Sequence, residues 1–173
     1  MNLIPKACFF TGHRIIPANK RNIIKSLLRQ EILNKINDGV TVFISGGALG
    51  FDTLAAEQVI DMRGDYDMIH LCLYLPCHNH DISWNPSDRQ RFYDIKSSAD
   101  EIYYVTKNDY APGCMKKRNN AMVEASDCGI AYMTKASSGS AQTVRMAMEK
   151  GIDVINIADI NYDEIYSDEN FFQ

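Results

Sequence analysis

The sequence predicts a single Rossmann-like three-layer α/β sandwich, a mostly parallel central sheet covered by helices on both faces. Short apolar runs alternate with amphipathic helical patterns along the chain, the order expected of strands joined by crossover helices. The runs are continuously apolar rather than alternating, as in strands buried on both faces. Several are followed at once by turns rich in glycine and hydroxyl residues, which is where open α/β sheets carry their ligands.

The element order follows from the pattern. Strands are expected near Ala7–Thr11, Thr41–Ser45, Met68–Leu75, Glu101–Val105, Cys128–Met133 and Val154–Ile157. The first helix runs from about Asn19 to Asn37, with Ile24, Leu28, Ile32 and Ile36 on one stripe and Gly39 beyond its end. The second starts near Phe51, where Leu54, Ala55, Val59 and Met62 recur at helical spacing. A third covers Pro86–Ser98, a fourth Met115–Ala125, and a fifth Ser140–Lys150 closed by Gly151. In the fourth, Met115 and Met122 are expected to face the core.

Composition bounds the class. At 173 residues, 46% hydrophobic and 23% charged, the chain makes one globular domain, expected over residues 1–160 with an acidic tail over 161–173. It has no apolar run of the roughly 20 residues needed to span a bilayer and no leader-like start, so a cytoplasmic location without membrane association is expected. Five cysteines form an odd set without zinc-ribbon spacing, and Cys77-His78-Asn79-His80-Asp81 lacks a second ligand pair; no metal and no cofactor are expected. The formal charge of −4 argues against nucleic acid as a partner.

Four segments carry the candidate chemistry. Ser45-Gly46-Gly47-Ala48-Leu49-Gly50-Phe51-Asp52 is a glycine-rich turn into a helix, where unpaired amides and the helix dipole favour an anion. It matches neither the dinucleotide fingerprint nor the P-loop. Asp52 is either a helix-end carboxylate or a group for ribose hydroxyls. In Thr11-Gly12-His13-Arg14, Arg14 offers a planar fork for a phosphate, while His13 is open between an acid–base role and fixing a loop by a hydrogen bond. Arg118 and Asn119 near the start of the fourth helix can reach a phosphate or sugar. Ser138-Gly139-Ser140 is a second small-residue turn at a helix start, or a plain serine cap. Together these residues point to one anion-binding site on one sheet edge.

In order and spacing these segments, with Leu75-Pro76, Trp84, Met122, Asp127 and Thr143, resemble the YpsA-like family of the SLOG superfamily, which also holds the DNA-processing protein DprA/Smf and the LOG phosphoribohydrolases. The resemblance covers nearly the whole chain. It implies a Rossmann-like domain whose glycine-rich turns bind a nucleotide-derived small molecule, and relatives that often pair leave self-association open. Met115-Lys116-Lys117-Arg118 is similar to the Met-x-x-Arg element of LOG enzymes, which implies a catalytic-arginine position at Arg118. Where those enzymes carry a catalytic glutamate, this chain has Thr143, and a threonine cannot stabilise an oxocarbenium ion or activate water as a carboxylate does. Binding or sensing without efficient turnover is therefore the leading expectation. A nucleotide N-glycosidase using Arg118 with Asp52 or Glu124 is the alternative, and DprA-like single-strand binding the weaker one.

Overall fold

The computed structural model describes residues 4–160. Six strands form one sheet: β1 (Lys6–Gly12), β2 (Val40–Ser45), β3 (His70–Leu75), β4 (Glu101–Tyr104), β5 (Cys128–Tyr132) and β6 (Asp153–Asn156). Their order is β4-β3-β2-β1-β5-β6, and every pairing among them is parallel. The helices are α1 (Arg21–Asn37), α2 (Phe51–Met62), α3 (Pro86–Ser98), α4 (Cys114–Glu124) and α5 (Gly139–Glu149). The predicted elements are all present, and their ends differ by one or two residues, the usual fraying margin. The first helix starts later than expected because a 3₁₀ turn, Ala18–Lys20, precedes it. The acidic segment 161–173 lies outside the described residues.

Alternation along the central strands builds two cores. Cys8, Phe10, Phe43, Leu71 and Leu73 point to one face, under Leu28 and Ile32 of α1, Leu54 and Val59 of α2, and Phe92 and Ile95 of α3. Ala7, Phe9, Ile44 and Cys72 point to the other, under Met122 and Val123 of α4 and Ala147 of α5. Each fully buried large apolar side chain contributes roughly 1.5–3 kcal/mol of transfer free energy. Local signals agree with the packing: Pro86 is the first residue of α3, and the Asn85 side chain before it accepts the Asp88 N–H at 2.8 Å. Among the described residues no helix is long and apolar enough to cross a membrane.

The sheet order positions the site. From β1 the chain steps outward through β2, β3 and β4 with α1–α3 on one face, then crosses to β5 on the other side of β1 with α4 and α5 on the opposite face. Connections therefore leave β1 and β5 in opposite directions, and a crevice opens at their carboxyl ends.

Candidate functional site

A cavity of about 290 Å³ occupies that crevice. From β1 and the loop after it come Phe10, Thr11, Gly12, His13 and Arg14; from the turn before α2, Ala48 and Asp52; from α4, Met115, Arg118 and Asn119; from the start of α5, Ser138, Gly139 and Ser140. The first loop and the glycine-rich turn are locked together, since the Phe51 N–H donates to the His13 carbonyl at 3.0 Å. Gly50 has φ of +78°, and a Cβ there would fall on the carbonyl groups of His13 and Arg14, so only glycine fits.

Ser45, Gly46, Gly47 and Gly50 do not line this cavity, and Gly50 lines a second one beside it. The Ser45 hydroxyl accepts the Gly47 N–H at 3.3 Å and donates to the Asp52 carbonyl at 3.0 Å. The Ala48 N–H donates to the Asp52 carboxylate at 3.3 Å. The Gly47 and Ala48 amides, expected to face a bound anion, are thus taken by the protein's own Ser45 and Asp52 side chains. A Cβ on Gly46 would collide with the Arg118 guanidinium and lie 2.8 Å from Asp52 Oδ2, so this glycine serves the close approach of those two groups.

Arg118 and Asp52 form the floor. Arg118 is 6% exposed; its Nε donates to Asn119 Oδ1 at 2.7 Å and its Nη1 to the Gly46 carbonyl. Burial draws its pKa down, yet a guanidinium keeps its proton in a protein, and two of its five N–H groups are engaged by these bonds. Asp52 is 5% exposed, and burial raises its pKa, an effect that Arg118 and the Ala48 N–H oppose. It is the only carboxylate lining the cavity among the described residues. Glu124, the other candidate carboxylate, lies on a different face of α4 from Arg118 and pairs with Lys150 at 3.3 Å, outside the cavity. Thr143 is buried, and its hydroxyl donates to the Gly139 carbonyl at 3.1 Å.

The start of α5 is built differently from the turn before α2. Ser138 caps the helix, its Oγ accepting the Ala141 N–H at 3.1 Å, and its carbonyl accepts the Gln142 N–H. A helix start leaves four amides without intrahelical partners, here those of Ser138, Gly139, Ser140 and Ala141; the cap takes the Ala141 amide, and those of Gly139 and Ser140 are among the three that remain. A Cβ on Gly139 would meet nothing within 4 Å. His13 fixes this side of the site: its Nε2 accepts the Thr134 N–H at 2.7 Å, which assigns the ring proton to Nδ1, and burial followed by the nearby Lys135 lowers its pKa.

Other expectations resolve around the site. Met115 lines the cavity while Met122 is in the core, so the two methionines do not share a role. Nothing in the sequence pattern separated them. Asp127 ties β1 to the segment before β5, accepting the Ala7 N–H at 2.8 Å and donating its own N–H to the Ala7 carbonyl at the same distance. In Cys77–Asp81 the side chains diverge: Cys77 bonds Asn79, His78 stacks on Tyr104, His80 donates to the Gly47 carbonyl at 3.2 Å, and Asp81 pairs with Arg89. Trp84 packs edge-on against His80 and Phe92.

Comparison with known proteins places this geometry among relatives. The family model YpsA, described as the YspA SLOG family, matches residues 15–165. The UPF0398 protein BH1768 of Halalkalibacterium halodurans is 32% identical over 143 residues, 78% of this chain and 76% of the relative. A UPF0398 protein of Bacillus cereus, BCB4264_A1614, is 31% identical over 130 residues, 74% of this chain and 71% of the relative.

Among solved structures, DNA processing protein A from Helicobacter pylori superposes with a TM-score of 0.63 at 20% identity, covering 98% of this chain and 74% of that one. Its Streptococcus pneumoniae counterpart gives 0.61 at 17%, covering 95% and 56%, and the structural-genomics target TM1055 gives 0.56 at 17%, covering 94% and 81%. The Helicobacter pylori protein has a single-stranded DNA binding mode. That finding corrects the expectation that nucleic acid is not a partner. The physical reason is that formal net charge is a sum over the chain, whereas a strand is held by the few cations it touches.

Proposed function

Because the chain belongs to the YspA SLOG family, we propose that it binds a phosphorylated, nucleotide-derived small molecule in the cavity between β1 and β5. One observation carries the reading: Arg14, Arg118 and the amino end of α5 converge on a single cavity. A phosphate at α5 takes the Gly139 and Ser140 amides and the Ser140 hydroxyl, where the helix dipole favours negative charge. Arg118 and Arg14 supply countercharge. Asp52 and Asn119 accept from ribose hydroxyls, and Met115 offers an apolar wall.

The test is calorimetric titration with nucleoside mono-, di- and cyclic phosphates, together with thermal unfolding, since a ligand held only by the folded state raises its melting temperature. The reading fails if no phosphorylated ligand binds, or if Arg118→Met and Gly139→Asp leave the affinity of a bound one unchanged. Free base in the same incubations would promote hydrolysis, with Asp52 as the carboxylate.

A second reading, single-stranded DNA, is supported by the shared fold and by a larger, more open groove between α4 and α5, about 740 Å³ in volume. That groove adjoins the cavity through Met115, Asn119 and Gly139 and carries Lys116 and Arg145. Salt-sensitive retention of a labelled oligonucleotide, lost in Lys116→Ala/Arg145→Ala, would favour it.

A further inference from the structure

Arg14 lines a second cavity as well as the first. This one, about 280 Å³, lies beyond the loop after β1, between the start of α1 and α3, and includes Ile16, Arg21, Leu49, Asp88 and Arg91. Both cavities sit just below the roughly 300–1,000 Å³ range of small-molecule sites, and they meet at one exposed guanidinium. The charged groups of the second cavity are unequal. Arg91 is held by Glu57 through two hydrogen bonds, at 2.5 and 2.6 Å. Asp88 accepts the Asn85 side-chain amide through Oδ2 at 2.7 Å, and a carboxylate has a second oxygen for hydroxyl donors. Arg21 is exposed and is the first residue of α1, whose first turn holds no acid, so it stands where a helix dipole disfavours a cation. Ile16 and Leu49 add apolar wall. A cationic junction, a hydroxyl acceptor and an apolar wall are what a sugar or nucleoside at the far end of a diphosphate requires.

We propose that the ligand is two-ended, a nucleoside diphosphate whose outer phosphate carries a second hydroxyl-bearing ring. The nucleoside end and inner phosphate lie in the first cavity, the outer phosphate at Arg14, and the second ring between Arg21 and Asp88. This rests on the reading of the first cavity as a nucleotide site and adds the chemical class.

Calorimetry with three matched series tests it: AMP, ADP and ADP-ribose; UMP, UDP and UDP-glucose; GMP, GDP and GDP-mannose. In a series whose monophosphate binds, the ring-bearing diphosphate is expected to bind about tenfold or more tightly than the plain diphosphate, equivalent to ~1.4 kcal/mol. Arg21→Ala and Asp88→Asn are each expected to reduce that gain while leaving monophosphate affinity unchanged. The two-ended ligand is refuted, and the nucleotide reading kept, if monophosphates bind but the ring adds nothing in every series, or if the gain persists in both variants. Absence of binding by all nine compounds overturns both.

Discussion

The turns before α2 and α5 look alike in sequence, small residues running from a strand into a helix, and the fold uses them in opposite ways. In the first, the Ser45 hydroxyl and Asp52 carboxylate take the Gly47 and Ala48 amides, and Gly46 is closed over by Arg118 and Asp52. In the second, the Ser138 cap takes only the Ala141 amide, and the space beside Gly139 is open. Glycine thus marks a close approach in one turn and access in the other. What distinguishes them is how far the chain's own side chains occupy the amides of the turn.

Alanine separates the two turns most sharply. Gly50→Ala combines a positive φ with collision against backbone carbonyls that cannot swing aside, and is expected to cost about 3 kcal/mol or more. Gly139→Ala adds a methyl group to open space and is expected to change stability by about 0.5 kcal/mol or less. Urea unfolding of both variants measures the difference. Equal losses would mean that the second turn is as closely packed as the first.

Arg118 links the turns, bonded to the Gly46 carbonyl on one side and lining the cavity on the other. Arg118→Met removes a charge-assisted contact of roughly 1.5–3 kcal/mol, so the affinity for a bound nucleotide should fall ~10–100-fold. It also removes the stronger of the two cations that act on Asp52, leaving Arg14. Restoring stability, though not affinity, with Asp52→Asn in the same chain would show that the two effects are distinct, as a double-mutant cycle reads them.

The sheet and helices were legible because each rests on local information: apolar runs, helical stripes such as Ile24, Leu28 and Ile32, and the Asn85-Pro86 start. The meeting of Arg14, Arg118 and Ser138–Ser140 was legible too, since all follow strands of one parallel sheet. Which turn is open was not. That depends on Asp52 folding back onto Ala48 and on Arg118 reaching a carbonyl 72 residues away, and neither leaves a periodic trace. Helix phase hid Glu124: six residues after Arg118, at ~3.6 residues per turn, it emerges on another face. Arg21 was missed because a lone cation at a helix start carries meaning only once the cavity beside it is known.

Ser138→Ala tests the open turn alone. Losing the cap should destabilise by ~1 kcal/mol and leave the Ala141 amide competing for the phosphate, so stability falls while nucleotide affinity changes little. Its counterpart in the closed turn is Asp52→Asn, read against pH. Burial lifts the folded pKa of Asp52 above the ordinary aspartate value, so as pH rises through that ordinary value the unfolded chain ionises first and stability declines until the folded group ionises too. Asp52→Asn should remove that decline from a series of unfolding curves; an unchanged pH profile would assign the decline to another carboxylate.

The smallest expected effect comes from the histidine that tethers each turn. His80 donates to the Gly47 carbonyl and His13 accepts from the Thr134 N–H; burial lowers the pKa of both. The unfolded chain takes up each proton near 6.5 and the folded chain only at lower pH, so the stability they contribute is complete above 6.5 and is lost as pH falls below it. Protonating His80 places a charge among Trp84, Phe92 and the nearby Arg118, whereas protonating His13 removes one acceptor at a more exposed loop. His80→Gln should therefore flatten more of the acid-side stability loss than His13→Gln. His13→Gln should instead alter the pH dependence of nucleotide binding, because its tether holds the loop leading to α5. If the two substitutions exchange these effects, the division between a closed, structural turn and an open, binding one is wrong.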